Sequence, residues 1–223
     1  MHRYYQGQLD FFCALYAIIN AMTALFNLNL MQARALFATA LNDISQHPEL
    51  WHATLENKTD FHWLVAYLLD GASRGPSYPL RVHRPFAEEK GIPESASNLA
   101  CAKLFTHTGT PETFLSPREA GVFWQTMQKW LMPASSPPPS GSVRHAAILR
   151  FHRYIPYMRE PAISHWTVAD HFYDDKIRLR DASMEERSLH SLGRSVTALH
   201  PDLVSERRDV RIEPESVFFI EKL

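Results

Sequence analysis

Residues 133–141, PASSPPPSG, divide the chain into two halves with different hydrophobic periods, and this break constrains the fold more than any other feature. Three consecutive prolines remove three backbone donors and favour extended polyproline geometry, so no helix runs through them. Before the break, apolar residues recur at three- and four-residue steps. Leu15, Ile18, Ile19, Met22 and Phe26 form one helical stripe, and Leu30, Ala33, Leu36, Phe37, Ala40, Leu41 and Ile44 form a second. A third, Phe61, Leu64, Val65, Leu68 and Leu69, follows the N-cap candidate Asp60 and stops at Gly71. Ser116-Pro117-Arg118-Glu119 joins a capping box to proline at the first helical position, predicting a helix through Phe123, Met127, Trp130 and Leu131. One strand is expected before it, over residues 78–86.

Beyond the break the pattern turns to strands. Residues 146–152 are short and apolar, 165–172 and 176–181 flank the hairpin candidate Tyr173-Asp174-Asp175, and 216–221 read as a closing strand. Helices first and antiparallel strands last predict an α+β fold. We read it as one domain, with a mainly helical lobe over 1–132, a mainly β lobe over 142–223 and residues 133–141 crossing between them.

Composition narrows the function. A 45% hydrophobic content over 223 residues supplies a sizeable core, and 23 Lys+Arg against 24 Asp+Glu leave a formal net charge of -1. No global basic field recruits nucleic acid or anionic lipid. The start, MHRYYQGQLD, lacks the pattern of a secretory peptide, and residues 11–30 carry too many polar side chains for a membrane span. A cytoplasmic protein without membrane contact is expected. There is no Gly-rich phosphate loop and no CxxC pair, so no cofactor and no metal centre is predicted. His165, Asp170 and His171 are the nearest approach to a ligand set.

Of the two cysteines, Cys101 lies in the apolar run NLACAKLF and reads as core. Cys13 instead opens the first helical stripe, where free amides and the helix dipole favour a thiolate, the nucleophilic form of cysteine. Asp10, as an N-cap, would oppose it slightly. A small core cysteine is the competing reading of Cys13.

A base for Cys13 must come from elsewhere in the fold, and His165 starts a β-like run, SHWTVA. Asp181 follows 16 positions later (181 − 165), after the hairpin turn, where a carboxylate can orient an imidazole. Strand parity sets a condition. A two-residue Asp174-Asp175 loop puts His165 and Asp181 on opposite faces, so a triad requires an odd loop or a bulge.

Taken together, Gln8, then Cys13-Ala14 five positions later, Asn20 on the same helix, a late His165-Trp166 and Asp181 resemble the papain-like cysteine peptidase superfamily. The local form Q-x4-C-A-x5-N with a later H-W is similar to the Josephin deubiquitinases and to the double-glycine leader peptidases of bacteriocin exporters. The likeness covers about a quarter of the chain. It implies a papain-like fold, with Cys13 as nucleophile, His165 as general base and acid, and Asp181 as the orienting residue where Josephin-type enzymes more often carry asparagine. Gln8 would donate to the oxyanion hole beside the amide of Cys13, with Gln6 a weaker competitor. Trp166 would narrow a substrate groove.

The function implied is hydrolysis of a peptide or isopeptide bond, with a ubiquitin-like or Gly-Gly-containing protein as the substrate. Arylamine acetyltransferases and transglutaminase-like enzymes use the same residue order for acyl transfer. A non-catalytic binding protein is the third reading, contacting partners through Tyr4, Tyr5, Trp51, Tyr154 and Tyr157. Arg178, Arg180, Arg207, Arg208 and Arg211 read as a solvated face or a local docking patch.

Overall fold

Cys13 begins helix α1 (Cys13–Phe26) in the computed structural model, which describes residues 12–56, 61–73, 77–86, 116–132, 143–155, 160–182 and 189–223. There follow α2 (Leu30–Ser45), α3 (Pro48–Leu55), α4 (Phe61–Ser73), β1 (Leu80–His83) and α5 (Pro117–Leu131). After the proline-rich segment come β2 (His145–Arg153), β3 (Ile163–Tyr173), β4 (Lys176–Arg180), β5 (Ser191–Gly193), β6 (Thr197–Ala198), a short 3-10 turn and β7 (Val210–Lys222). The fold is α+β. Among the described residues, no helix is long and apolar enough to cross a membrane.

Local chemistry explains most boundaries. Asn29 caps α2 and Ser116 caps α5, each through a complete capping box. Asn27 ends α1 in the left-handed conformation, φ 53. Pro48 starts α3, a helix the stripes did not signal. Helix α4 runs on through Gly71 to Ser73, and the strand expected over 78–86 shortens to β1. The expected caps Asp60 and Asp10 lie outside the described residues, and Phe12 is the N-cap of α1. The second stripe is a helix but hardly a core. Only Ala33 and Ile44 of α2 are buried, because α2 packs chiefly on α1 and α3 rather than on the sheet.

The sheet runs β1-β7-β2-β3-β4-β5 with antiparallel neighbours, and β6 pairs in parallel with β7. Alternation along its strands fills two cores. Ala146, Ile148, Trp166, Val168, Phe218 and Ile220 pack against α1 and α4 on one face. Ala147, Leu149, Phe151, Ala169 and Phe172 pack against Phe123, Trp124 and Met127 of α5 on the other. The two halves of the sequence therefore interleave. A strand and a helix from before the proline-rich segment complete one edge and the second face of the sheet, so the mainly helical part both packs on the sheet and contributes to it. Side-chain alternation cannot reveal which face of a sheet a distant helix will cover.

Two irregularities shape the sheet. Asp174 and Asp175 form the loop between β3 and β4 with φ 46 and 55, so the hairpin has a two-residue turn with both central residues left-handed. Between the pairs Ala169↔Leu179 and His171↔Arg178, Asp170 is an extra residue on β3, a β-bulge. Strand β7 also slips against β2 between Ile148 and Arg150. Ser216 closes that gap by accepting from the Arg150 amide at 2.7 Å and donating to the Glu213 carbonyl at 2.6 Å.

Candidate active site

Helix α1 presents Cys13 at its first position, half-exposed and free, with no side chain capping the helix start. The sulfur therefore lies at the positive end of a 14-residue helix whose first amides point outward. The rest of α1 is buried from Ala14 to Leu25 except at Tyr16 and packs across β3, which fixes that end of the helix against the sheet.

His165 stands near the start of β3, where the strand extends past the last β4 pair, Val168↔Arg180. Its ring packs on Phe151, directly opposite on β2, at a centroid distance of 5.7 Å, and its side chain is 8% exposed. Nε2 lies 2.9 Å from Asp181 Oδ1, with the N–H direction off the N···O line. The Cys13 side chain lies close enough to the same ring to raise its pKa. With Nε2 turned to the carboxylate, Nδ1 is the nitrogen left to serve the thiol. Asp181 is fully buried, and its second oxygen accepts from the Leu189 amide at 2.8 Å.

These contacts set the charge of the imidazole. Burial alone disfavours the imidazolium, but the Asp181 carboxylate and the Cys13 side chain beside the ring outweigh it. The His165 pKa is raised to about 9. At neutral pH the ring is a cation between an acid and a thiol.

The bulge decides whether Asp181 can reach His165 at all. Without Asp170 as an extra residue, the two-residue turn would continue its register and place Asp181 opposite Val168, on the face away from His165. With it, His165, Thr167 and Ala169 share a face with Ile177, Leu179 and Asp181. The same insertion explains why Trp166 and Val168 join one core while Phe172 joins the other. Asp170 is itself buried, and its two oxygens accept from Nε of Arg178, at 2.7 Å, and Nε of Arg180. Both arginines pair with the bulge acid; Arg178 stays exposed, as a solvated face implies, whereas Arg180 is largely buried. An Asp inside the apolar alternation VADHF was the available signal. Arg208 Nε donates to the Ser195 carbonyl.

Other expectations fare differently. Trp166 is 1% exposed, packed between the His62 ring and Phe218, so it fills the core and lines no open groove. Its neighbour His165 faces the other side of the strand, and adjacency in sequence carried Trp166 into the substrate role. Gln8, Gln6, Cys101, Tyr4, Tyr5 and Tyr157 lie outside the described residues. Trp51 and Tyr154 are only half-exposed. Asn20 is buried within α1. With Asp170 committed to two arginines, the ligand set of His165, Asp170 and His171 does not assemble. Among the described residues, no group of three His, Cys, Asp or Glu side chains is arranged to hold a metal ion. A cleft of about 420 Å³ between the start of α5 and the β3–β4 hairpin, lined by Trp124, Lys176 and Arg194 among others, includes none of Cys13, His165 and Asp181.

One cluster has no counterpart in the sequence reading. Glu213 on β7 meets His152 on β2 at 3.2 Å and His62 on α4 at 3.5 Å, and His152 Nδ1 meets Ser164 Oγ on β3 at 2.7 Å. Four elements supply it, so no linear spacing announces it.

Comparison of the chain with protein-family models, curated proteins and solved structures returns no match.

Proposed function

We propose that this protein is a papain-like thiol hydrolase that cleaves a peptide or isopeptide bond through Cys13, His165 and Asp181. The convergence of these three side chains, from a helix start, a strand start and the end of the return strand, is the observation that carries the reading. An anionic Cys13 sulfur at the helix start attacks the carbonyl carbon while His165 is already protonated. Negative charge then builds on the carbonyl oxygen, where the amide of Cys13 and, by the resemblance, the side chain of Gln8 would donate. One such donor is worth about 3 kcal/mol. His165 gives its proton to the departing amine, the neutral imidazole next draws a proton from water, and hydroxide releases the acid from the thioester. Asp181 holds the ring throughout, which its own burial and the Leu189 amide make possible.

The substrate proposed is a protein or peptide with small residues before the scissile bond, ubiquitin-like or ending in Gly-Gly. Iodoacetamide labelling near pH 6, followed by peptide mapping, tests the ion pair. Selective modification of Cys13 over Cys101, lost in His165→Ala, is expected. Equal slow labelling of both cysteines would overturn the reading. Reaction with a ubiquitin-type propargyl probe then separates a deubiquitinase from other thiol hydrolases.

A further inference from the structure

We propose that Ser164 is a second, base-activated nucleophile, served by His152 and Glu213 and reactive toward acyl esters independently of Cys13. The proton positions follow from the contacts. Glu213 is held ionised: burial opposes its charge, but the hydrogen bond from His152 and the charges of His62 and Arg150 bring its pKa down to about 2. A carboxylate only accepts, so His152 Nε2, at 3.2 Å from Oε2, carries the ring proton. His152 Nδ1 then holds a lone pair, and the Ser164 hydroxyl, 2.7 Å away, donates to it.

His152 is poised as a base rather than an acid. Burial lowers its pKa most, the Glu213 hydrogen bond opposes that, and Arg211 and Arg150 add to the lowering. Facing groups come from every neighbouring element: His62 from α4, Arg150 from β2, and Arg211 and Glu213 from β7. The hydroxyl is also the most exposed member of the relay. Ser164 is exposed, whereas the side chains of His152 and Glu213 are 7% and 17% exposed. A hydroxyl held by a purely structural network has no need to stand at the surface end of the relay.

The reaction is ordinary acyl transfer. Ser164 Oγ bonds to the carbonyl carbon of an ester as its proton passes to His152 Nδ1. The imidazolium returns that proton to the departing alkoxide, leaving an acyl-serine and an alcohol. Water repeats the two steps, with His152 again as base and then acid, and yields the carboxylic acid and free Ser164.

The Cys13→Ala protein, which lacks the first nucleophile, is the material for the test. A fluorophosphonate probe should modify Ser164, and p-nitrophenyl acetate hydrolysis should fall at least tenfold on adding Ser164→Ala, a surface change that leaves the fold intact. Glu213→Gln should slow labelling while leaving Ser164 as the labelled site. Labelling of Ser164 no faster than of other exposed serines, or ester hydrolysis unchanged by Ser164→Ala, would overturn the proposal. Neither result bears on iodoacetamide labelling of Cys13.

Discussion

Asp181 Oδ1 reaches within 2.9 Å of His165 Nε2 across a register that holds because Asp170 is bulged out of the β3 ladder rather than paired. The two catalytic candidates are therefore coupled to a second carboxylate, Asp170, that pairs with neither. Asp170 holds its bulge through Arg178 and Arg180, one of them largely buried, so the geometry of the site is built into the hairpin.

Asp170→Ala removes the acceptor of both guanidinium groups and leaves Arg180 buried without its partner. Breaking a buried pair in this way costs about 3 kcal/mol, read as a lower urea midpoint. Deleting Asp170 makes Ala169↔Leu179 and His171↔Arg178 consecutive pairs and keeps His165 and Asp181 on one face, so selective Cys13 alkylation should persist in the fraction that remains folded. Loss of selective alkylation in the folded deletion variant would show that Asp170 does more than set the face of Asp181.

His165 yields a pH prediction. A folded pKa of about 9 against 6.5 unfolded means that the ion pair stabilises the protein fully below pH 6.5 and loses that effect as pH rises through 9. The imidazolium is also the acid for the leaving amine, so the alkaline limb of kcat/KM falls near pH 9. Asp181→Asn removes the charge that raises the pKa and leaves burial, which lowers it. The limb should move toward neutral pH, and thermal melts at pH 8 should lose their dependence on His165.

Glu213 acts in the opposite window. Its pKa is depressed from 4.5 to about 2, so its contribution to stability is complete above pH 4.5 and disappears as pH falls through 2. Neutral His152 reinforces the trend, since its lowered pKa means the folded state resists the proton it takes up on unfolding. Tm measured from pH 5 to pH 2 should fall less steeply in Glu213→Gln than in the parent protein.

The β3–β4 turn offers a gain. Asp174 and Asp175 both adopt left-handed backbone, which a two-residue turn of this kind demands and which glycine adopts without strain. Asp175→Gly, or the pair changed to Asn-Gly, should raise stability by about 0.5–1 kcal/mol. Chemical denaturation measures this directly, and a lower midpoint would mean that the aspartates hold the turn by contacts glycine cannot replace.

What the amino-acid order determined by itself was local. The 3.6-residue stripes, the capping box at Ser116 and the apolar runs of β2 and β7 announce their elements because each depends on residues a turn or a pleat apart. The position of Cys13 at a helix start was legible for the same reason, and so was the parity condition on His165 and Asp181. How that condition is met was not. An even turn with a bulge and an odd turn without one satisfy the same parity, and only the packing of Asp170 against two arginines selects the first. Tertiary structure likewise decided that Trp166 is core, that α2 is mostly solvent-facing and that α5 covers the second face of the sheet. It alone assembled Ser164, His152, Glu213 and His62, because a cluster drawn from four elements is held by long-range packing, which leaves no period in the chain to read.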